Sequence, residues 1–260
     1  MSKEQDLGIK IVGVGNLSVG GSGKTPLVSA LASKYEKSAI VLRGYGRQSR
    51  GLQVVKNREK ILCDVSVSGD EAMIYARHLP KAIVIVSEDR VEGIQKAKEM
   101  GAKIVFLDDA YSKHFIKKLD IVIDIKSENR ACLPSGPYRE RLWSTKEAIV
   151  IKEEREFGRV VKIKQSMQKM SLVTAIARPE RLNEFLPEVL SKNYFEDHHS
   201  FTKEELLSIL ERDKSQSLLV TYKDYVKIES FGIPLSLLDL ELTLSPDFVA
   251  KVDEYISQKV

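Results

Sequence analysis

A chain of 260 residues is long enough for one large α/β domain or two smaller ones, either with a proper core. Its 43% hydrophobic and 30% charged residues are ordinary for a globular protein, and 41 basic against 37 acidic residues leave a net charge of +4. That excess is too mild to argue for nucleic acid, although it suits anionic substrates or an anionic membrane surface. Residues 1–7 are too polar for a signal peptide, no apolar run approaches the ~18 residues of a membrane span, and Cys63 and Cys132, in no metal-type spacing, suggest a reducing cytosol.

The first informative stretch is residues 11–27, IVGVGNLSVGGSGKTPL. A β-branched apolar run ends at Gly15, a small-residue loop follows, and after Thr25 the apolar residues Leu27, Val28, Leu31 and Ala32 fall at helical spacing. Strand, glycine-rich loop, Gly-Lys-Thr and helix is the layout of a phosphate-binding P-loop. Gly20, Gly21 and Gly23 let the backbone curl its N–H groups toward phosphate oxygens, and the helix N-terminus adds partial positive charge. Lys24 is placed to reach the β- and γ-phosphates, and the Thr25 hydroxyl to ligate Mg²⁺. The expected nucleotide contacts are therefore Ser18, Val19, Gly20, Gly21, Ser22, Gly23, Lys24 and Thr25, with Ser18 standing where G-x-x-x-x-G-K-S/T has its first glycine. A dinucleotide fingerprint is not satisfied, because Gly13 and Gly15 are followed by Ser18 where the third glycine belongs.

Residues 39–42 (AIVL) read as a buried strand that ends in Arg43-Gly44-Tyr45-Gly46-Arg47, at the sheet edge where α/β proteins bind ligands. Residues 53–55 and 60–67 suggest short strands, and Asp70 sits at the N-cap of a helix running to about residue 78. A further apolar run, 82–86, precedes Asp89-Arg90 and a helix over 91–100. Residues 103–107 (KIVFL) run into Asp108-Asp109, an apolar strand ending in acid, which is the Walker-B arrangement for Mg²⁺. Neighbouring strand residues face opposite ways, so both acids serve one metal only if the strand has already ended. With 119–125 as one more strand, the alternation predicts a mostly parallel sheet flanked by helices, of P-loop NTPase type.

Residues 127–141 break the rhythm with a proline-bounded loop that carries Arg139. Strands are then expected at 148–151, 160–163, 172–176 and 218–221, with helices from Pro179, from Thr202 and over 246–258. This gives a P-loop core over 1–150 and a smaller C-terminal α/β subdomain over 151–260. Of the four histidines, His78 and His114 read as structural or solvated, whereas His198-His199 lies beside Asp197. Adjacent histidines point in different directions, so at most one faces a site.

Taken together, VGNLSVGGSGKTP, LRGYGR, GDEA, EDR, LDDAYSKH, LPSGPYRE, FEDHHSF and LLVTYKDYVK, in this order between residues 14 and 227, resemble the tetraacyldisaccharide 4′-kinases, P-loop enzymes that phosphorylate the lipid A precursor. The resemblance implies transfer of the ATP γ-phosphoryl group, with Mg²⁺, to the 4′-hydroxyl of an anionic glycolipid, a tetraacyldisaccharide 1-phosphate. It implies a peripheral protein at the cytoplasmic face of the inner membrane, with no nucleic acid and no obligate protein partner. It assigns Lys24 and Thr25 to phosphate and Mg²⁺, Asp108 and Asp109 to the metal and nucleotide side, Asp70 with His198 to activation of the sugar hydroxyl, and Arg90 and Arg139 to phosphate contacts. The family's glycine after the acid pair is Ala110 here, and its DEP is Asp70-Glu71-Ala72. Members usually carry an amphipathic membrane-associating segment before the first strand, so either this chain meets the membrane through other surfaces or its natural start lies upstream. The alternatives are another P-loop kinase of soluble small molecules and a nucleotide-binding regulator; against the latter, no N-K-x-D guanine-reading motif is found.

Overall fold

The structure, a computed structural model, describes residues 4–18, 23–125, 129, 131–143 and 146–258. The chain forms two compact units, residues 1–158 with 242–260, and residues 159–241. Its elements in order are β1 (Lys10–Asn16), α1 (Lys24–Ala32), β2 (Ser38–Leu42), β3 (Gln53–Asn57), α2 (Val65–Ser68), α3 (Asp70–His78), β4 (Ile83–Val86), α4 (Arg90–Glu99), β5 (Ile104–Asp108), β6 (Leu119–Ile123) and β7 (Ile149–Ile151). There follow β8 (Phe157–Lys164), β9 (Met170–Thr174), a 3-10 turn (Pro179–Phe185), β10 (Lys192–Tyr194), α5 (Lys203–Asp213), β11 (Ser217–Thr221), α6 (Tyr222–Ile228), β12 (Leu235–Leu244) and α7 (Pro246–Ser257).

In the first unit seven strands lie in the order β3-β4-β2-β5-β1-β6-β7, all pairs parallel except β3 with β4. Every residue of β2, β4 and β5 is buried, which is why these strands read as unbroken apolar runs rather than alternating ones. α4 inserts Ile94 and Ala97 among Ile11, Val41, Ile85, Val105 and Leu107. α1 has only nine residues and would be marginal alone; burying Leu27, Val28, Leu31 and Ala32 holds it, at ~1.5–3 kcal/mol for each large side chain. The order places β1 between β5 and β6, with Val14 level with Asp108. The loop after β1 and the acid pair after β5 therefore leave the sheet side by side.

Gly13 and Gly15 serve packing. A Cβ on Gly13 would lie 2.8 Å from the Lys118 side chain, and one on Gly15 would lie 2.6 Å from Tyr111 Cβ and 3.0 Å from its backbone nitrogen. The stretch 60–67 differs from the strand expected there. Asp64 accepts hydrogen bonds from the Ser66 and Val67 backbone N–H groups and caps the helical turn α2, and this local cap outweighs the β preference of two valines.

The second unit is built on a sheet ordered β10-β9-β11-β12-β8, in which β10 with β9, β9 with β11 and β11 with β12 pair in parallel. Val173, Leu218 and Val220 pack with Phe201, Leu206, Ile209 and Ile228 on one face, and Leu172, Leu219 and Leu238 pack on the other. The expected boundary near residue 150 and the assignment of 151–260 to one subdomain differ from this division. α7 returns to the first unit, where Phe248 and Val252 are buried, the Tyr35 hydroxyl donates to Asp253 (2.7 Å) and Lys10 stands over the Tyr255 ring (4.6 Å). An amphipathic helix advertises that it has a partner without saying which.

Gly15→Ala tests the close approach of β1 to Tyr111. Because the clash reaches backbone, the variant should lose ~1–3 kcal/mol of stability, read as a lower denaturation midpoint; an unchanged midpoint would show that the turn yields freely.

Candidate active site

Four elements of the first unit bring the predicted phosphate-side residues together. β1 ends in Asn16, and α1 begins at Lys24 behind Gly23, whose φ of 83° is a left-handed conformation that glycine adopts without strain. Of the expected nucleotide contacts, Val19, Gly20, Gly21 and Ser22 lie outside the described residues. Lys24 Nζ donates to Asn16 Oδ1 (2.9 Å) and stands 3.5 Å from Asp109 Oδ1. Asn16 Nδ2 in turn donates to the Ser18 carbonyl (2.6 Å), so one buried amide links the strand end, the loop and the lysine.

β5 stops at Asp108, and Asp109 follows with φ 52°, so the strand has ended before the second acid. The turn closes through Ala110, whose N–H donates to the Val14 carbonyl (3.1 Å). The left-handed residue is Asp109, which explains why alanine serves where the resembled family has glycine. Asp108 is 2% exposed and receives the Tyr75 hydroxyl on Oδ2 (2.7 Å), while its buried Oδ1 meets no hydrogen-bond donor among the described residues. Burial raises the Asp108 pKa against the opposing pull of Lys24 and Tyr75. For Asp109, burial is outweighed by the Arg139 hydrogen bond and the Lys24 charge, and its carboxyl is held below the usual range. Burial and the neighbouring Asp108 charge push the Tyr75 phenol well up, so it stays a hydroxyl.

Arg139 arrives from the proline-bounded loop. Its backbone N–H donates to the Leu17 carbonyl (2.8 Å), Tyr138 packs with Leu17, Tyr111 and Val122, and Lys146 beyond the loop binds the buried Asp120 of β6 (2.9 Å). The guanidinium pairs with Asp109 and donates to Asn16 Oδ1 (3.1 Å). Arg90, at the start of α4, is 4% exposed; Nη1 donates to the Ser87 carbonyl (2.6 Å) and Nε meets no acceptor among the described residues. Burial lowers its pKa, and the charges of Asp108 and Asp109 oppose that. Asn16 and Tyr75 were missing from the expected site. Asn16 stood inside the quoted GNL motif, while Tyr75 sits on the buried face of an amphipathic helix, where only its hydroxyl gave a signal.

Asp70 is the first residue of α3 and not its cap. Gly69 holds the cap position with φ 82°, and a Cβ there would lie 2.9 Å from the Tyr45 carbonyl. The turn after β2 and the helix start thus pack backbone to backbone, which places Tyr45, 70% exposed, beside the Asp70 end of α3.

In the second unit the loop 195–201 meets the start of α6. Asp224 is fully buried and accepts from Thr174 Oγ1 (2.7 Å), Thr221 Oγ1 (2.7 Å) and the Ala175 N–H (3.1 Å), fastening α6 to the end of β9. Lys223 Nζ binds Asp197 (2.8 Å) and lies 3.3 Å from His198 Nε2. The two histidines diverge as expected. His198 has φ 65°, and its ring stands with Lys223 and Asp197. His199 stacks on Phe195 (4.8 Å), meets Phe201 edge-on (5.0 Å) and binds Glu205 (2.9 Å), which commits its ring to packing.

Comparison with known proteins gives a consistent family. The model of the family described as Tetraacyldisaccharide-1-P 4′-kinase matches residues 1–167 and 152–258. A Tetraacyldisaccharide 4′-kinase of Aliarcobacter butzleri is 47% identical over 98% of this chain and 85% of its own length. The enzyme of that name from Helicobacter acinonychis is 46% identical over 98% of this chain and 83% of its own length. Among solved structures, LpxK from Aquifex aeolicus in complex with ATP superposes with a TM-score of 0.75, covering 98% of this chain and 89% of that one at 23% identity, a likeness of fold.

Proposed function

Since the chain belongs to the tetraacyldisaccharide-1-P 4′-kinase family, we propose that it transfers the γ-phosphoryl group of ATP to the 4′-hydroxyl of a tetraacyldisaccharide 1-phosphate in lipid A biosynthesis. The observation that carries this reading is the cluster at the ends of β1 and β5, where Lys24 and Arg139 converge on Asn16 and Asp109.

Phosphoryl transfer asks a protein mainly for alignment and for charge on the phosphate oxygens. Lys24 and Arg139 supply that charge, held at a common acceptor, Asn16 Oδ1, so both approach a phosphate from fixed positions. The residues also fit Mg²⁺. Asp108 Oδ1 is a buried carboxylate oxygen with no donor among the described residues, Thr25 lies in the first turn of the adjoining helix, and Mg²⁺ takes one or two carboxylates alongside substrate phosphates. Bound there, Mg²⁺ would supply positive charge to the phosphate oxygens. Arg90, with an orphaned buried N–H beside the two acids, is assigned to a phosphate contact. Asp70 and His198 are assigned, on the family resemblance, to the acceptor hydroxyl.

The acceptor carries four acyl chains, so the enzyme works at the cytoplasmic face of the inner membrane as a peripheral protein. No helix among the described residues is long and apolar enough to cross a membrane. The loop bearing Arg139 exposes Leu133, Leu142 and Trp143 near Arg141, side chains suited to a shallow, anionic interface. High salt or mild detergent should release most of the protein from membrane fractions, and resistance to both would refute peripheral attachment.

The direct assay is labelled ATP with the tetraacyldisaccharide 1-phosphate in detergent micelles, which should yield a bisphosphorylated lipid. Lys24→Met should abolish the product while the protein stays folded, because the ammonium acts on the transition state and not on the core. Near-normal kcat in folded Lys24→Met protein would overturn the nucleotide assignment.

A mutant cycle tests the acceptor side. General-base help is worth ~10²–10⁴-fold, so Asp70→Ala and His198→Ala should each lose about that much kcat, with little change in the KM for ATP. If the two act on one proton, the double variant loses no more than either single one. His199→Ala is the control: its ring packs on Phe195 and Phe201, so it should cost stability more than kcat. Penalties that multiply in the double variant would refute joint action.

A further inference from the structure

Tyr75 is fully buried on α3, and its hydroxyl donates to Asp108 Oδ2 (2.7 Å), a group assigned to the cation. An ionised carboxylate only accepts, so the tyrosine proton is committed to Asp108.

A carboxylate offers the metal the oxygen that is not already engaged, and Tyr75 occupies Oδ2 while Oδ1 stays buried and unpaired among the described residues. A helix position needed only for packing is filled as well by phenylalanine, and a buried hydroxyl is costly unless hydrogen-bonded on the spot. Taking Asp108 as a metal-side group, on which this step rests, we propose that Tyr75 is a positioning residue for the divalent cation, selecting Oδ1 of Asp108 as the oxygen turned to it. Because α3 begins at Asp70, one helix then carries both a residue assigned to the acceptor and the residue that orients a metal ligand.

The test uses Mn²⁺ as probe, read by electron paramagnetic resonance in the protein–ATP complex, with ATP binding in EDTA measured by calorimetry. Loss of an outer-shell partner typically costs 10–100-fold in metal affinity, so Tyr75→Phe should weaken Mn²⁺ binding by about that factor and leave ATP binding in EDTA unchanged. A merely structural tyrosine would change thermal stability without this split. Asp108→Asn separates the two readings. If it weakens Mn²⁺ and Tyr75→Phe does not, the positioning role falls and the metal assignment stands; if Asp108→Asn has no effect, the metal assignment falls and this inference with it. Should Tyr75→Phe fail to fold, 3-fluorotyrosine at position 75 keeps ring and hydroxyl, and its fluorine resonance should shift when Mg²⁺ is added to the ATP complex. A resonance indifferent to Mg²⁺ overturns the proposal.

Discussion

The first unit is organised around a carboxylate at the end of its central strands that is almost entirely removed from water. Asp108 is 2% exposed, and taking an ionised carboxylate out of water costs several kcal/mol even after relaxation. One hydrogen bond to a charged group returns ~1.5–3 kcal/mol, so Tyr75 alone does not hold the anion there. Positive charge returns part of the rest: Lys24 pulls against the burial that raises the Asp108 pKa, without cancelling it. The start of α1, which carries Lys24, is therefore tied electrostatically to the strand that carries Asp108. The parallel register of β1 with β5, Val14 level with Asp108, makes that possible.

Asp109 shows how the same charge is shared without a second buried anion of equal cost. Because its φ is 52°, its side chain leaves the strand direction, stays partly exposed and pairs with Arg139 as well as Lys24. Two acids in sequence thus occupy two environments, one raised in pKa by burial and one lowered by its cations. Asn16 adds an uncharged acceptor for both cations, which fixes their positions without neutralising them.

Much of this was legible in the sequence because it is local. The runs at 39–42, 82–86 and 103–107 had to be buried parallel strands, and a glycine-rich loop between strand and helix had to start α1. What the residues alone left open was of a different kind. Arg139 reaches Asp109 through a backbone bond to Leu17, more than a hundred residues away, and an apolar cluster that packs Tyr138 on the same leucine. α7 carries a plain amphipathic pattern, yet only the folded chain shows that its partner is the first unit. Strand β12 carries a readable alternation from Leu238 to Leu244 yet was not among the expected strands, and α6 is too short for periodicity to reveal.

The histidine pair marks the limit of spacing arguments and the way past it. Adjacent residues differ in direction, but spacing cannot say which of them is bound up in packing. Burial and partners decide that. His199 lies among Phe195, Phe201 and Glu205, and a ring so held is poorly placed to exchange a proton with a substrate. His198 is carried on a left-handed residue, a conformation that costs ~1–2 kcal/mol for most side chains and persists only when the surroundings impose it. Here the surroundings are the His198 N–H bond to the Ala175 carbonyl and the buried Asp224, which fixes the Thr174–Ala175 strand end. The aspartate of the TYKD stretch thus does architectural work, holding the backbone from which His198 and Lys223 project beside Asp197.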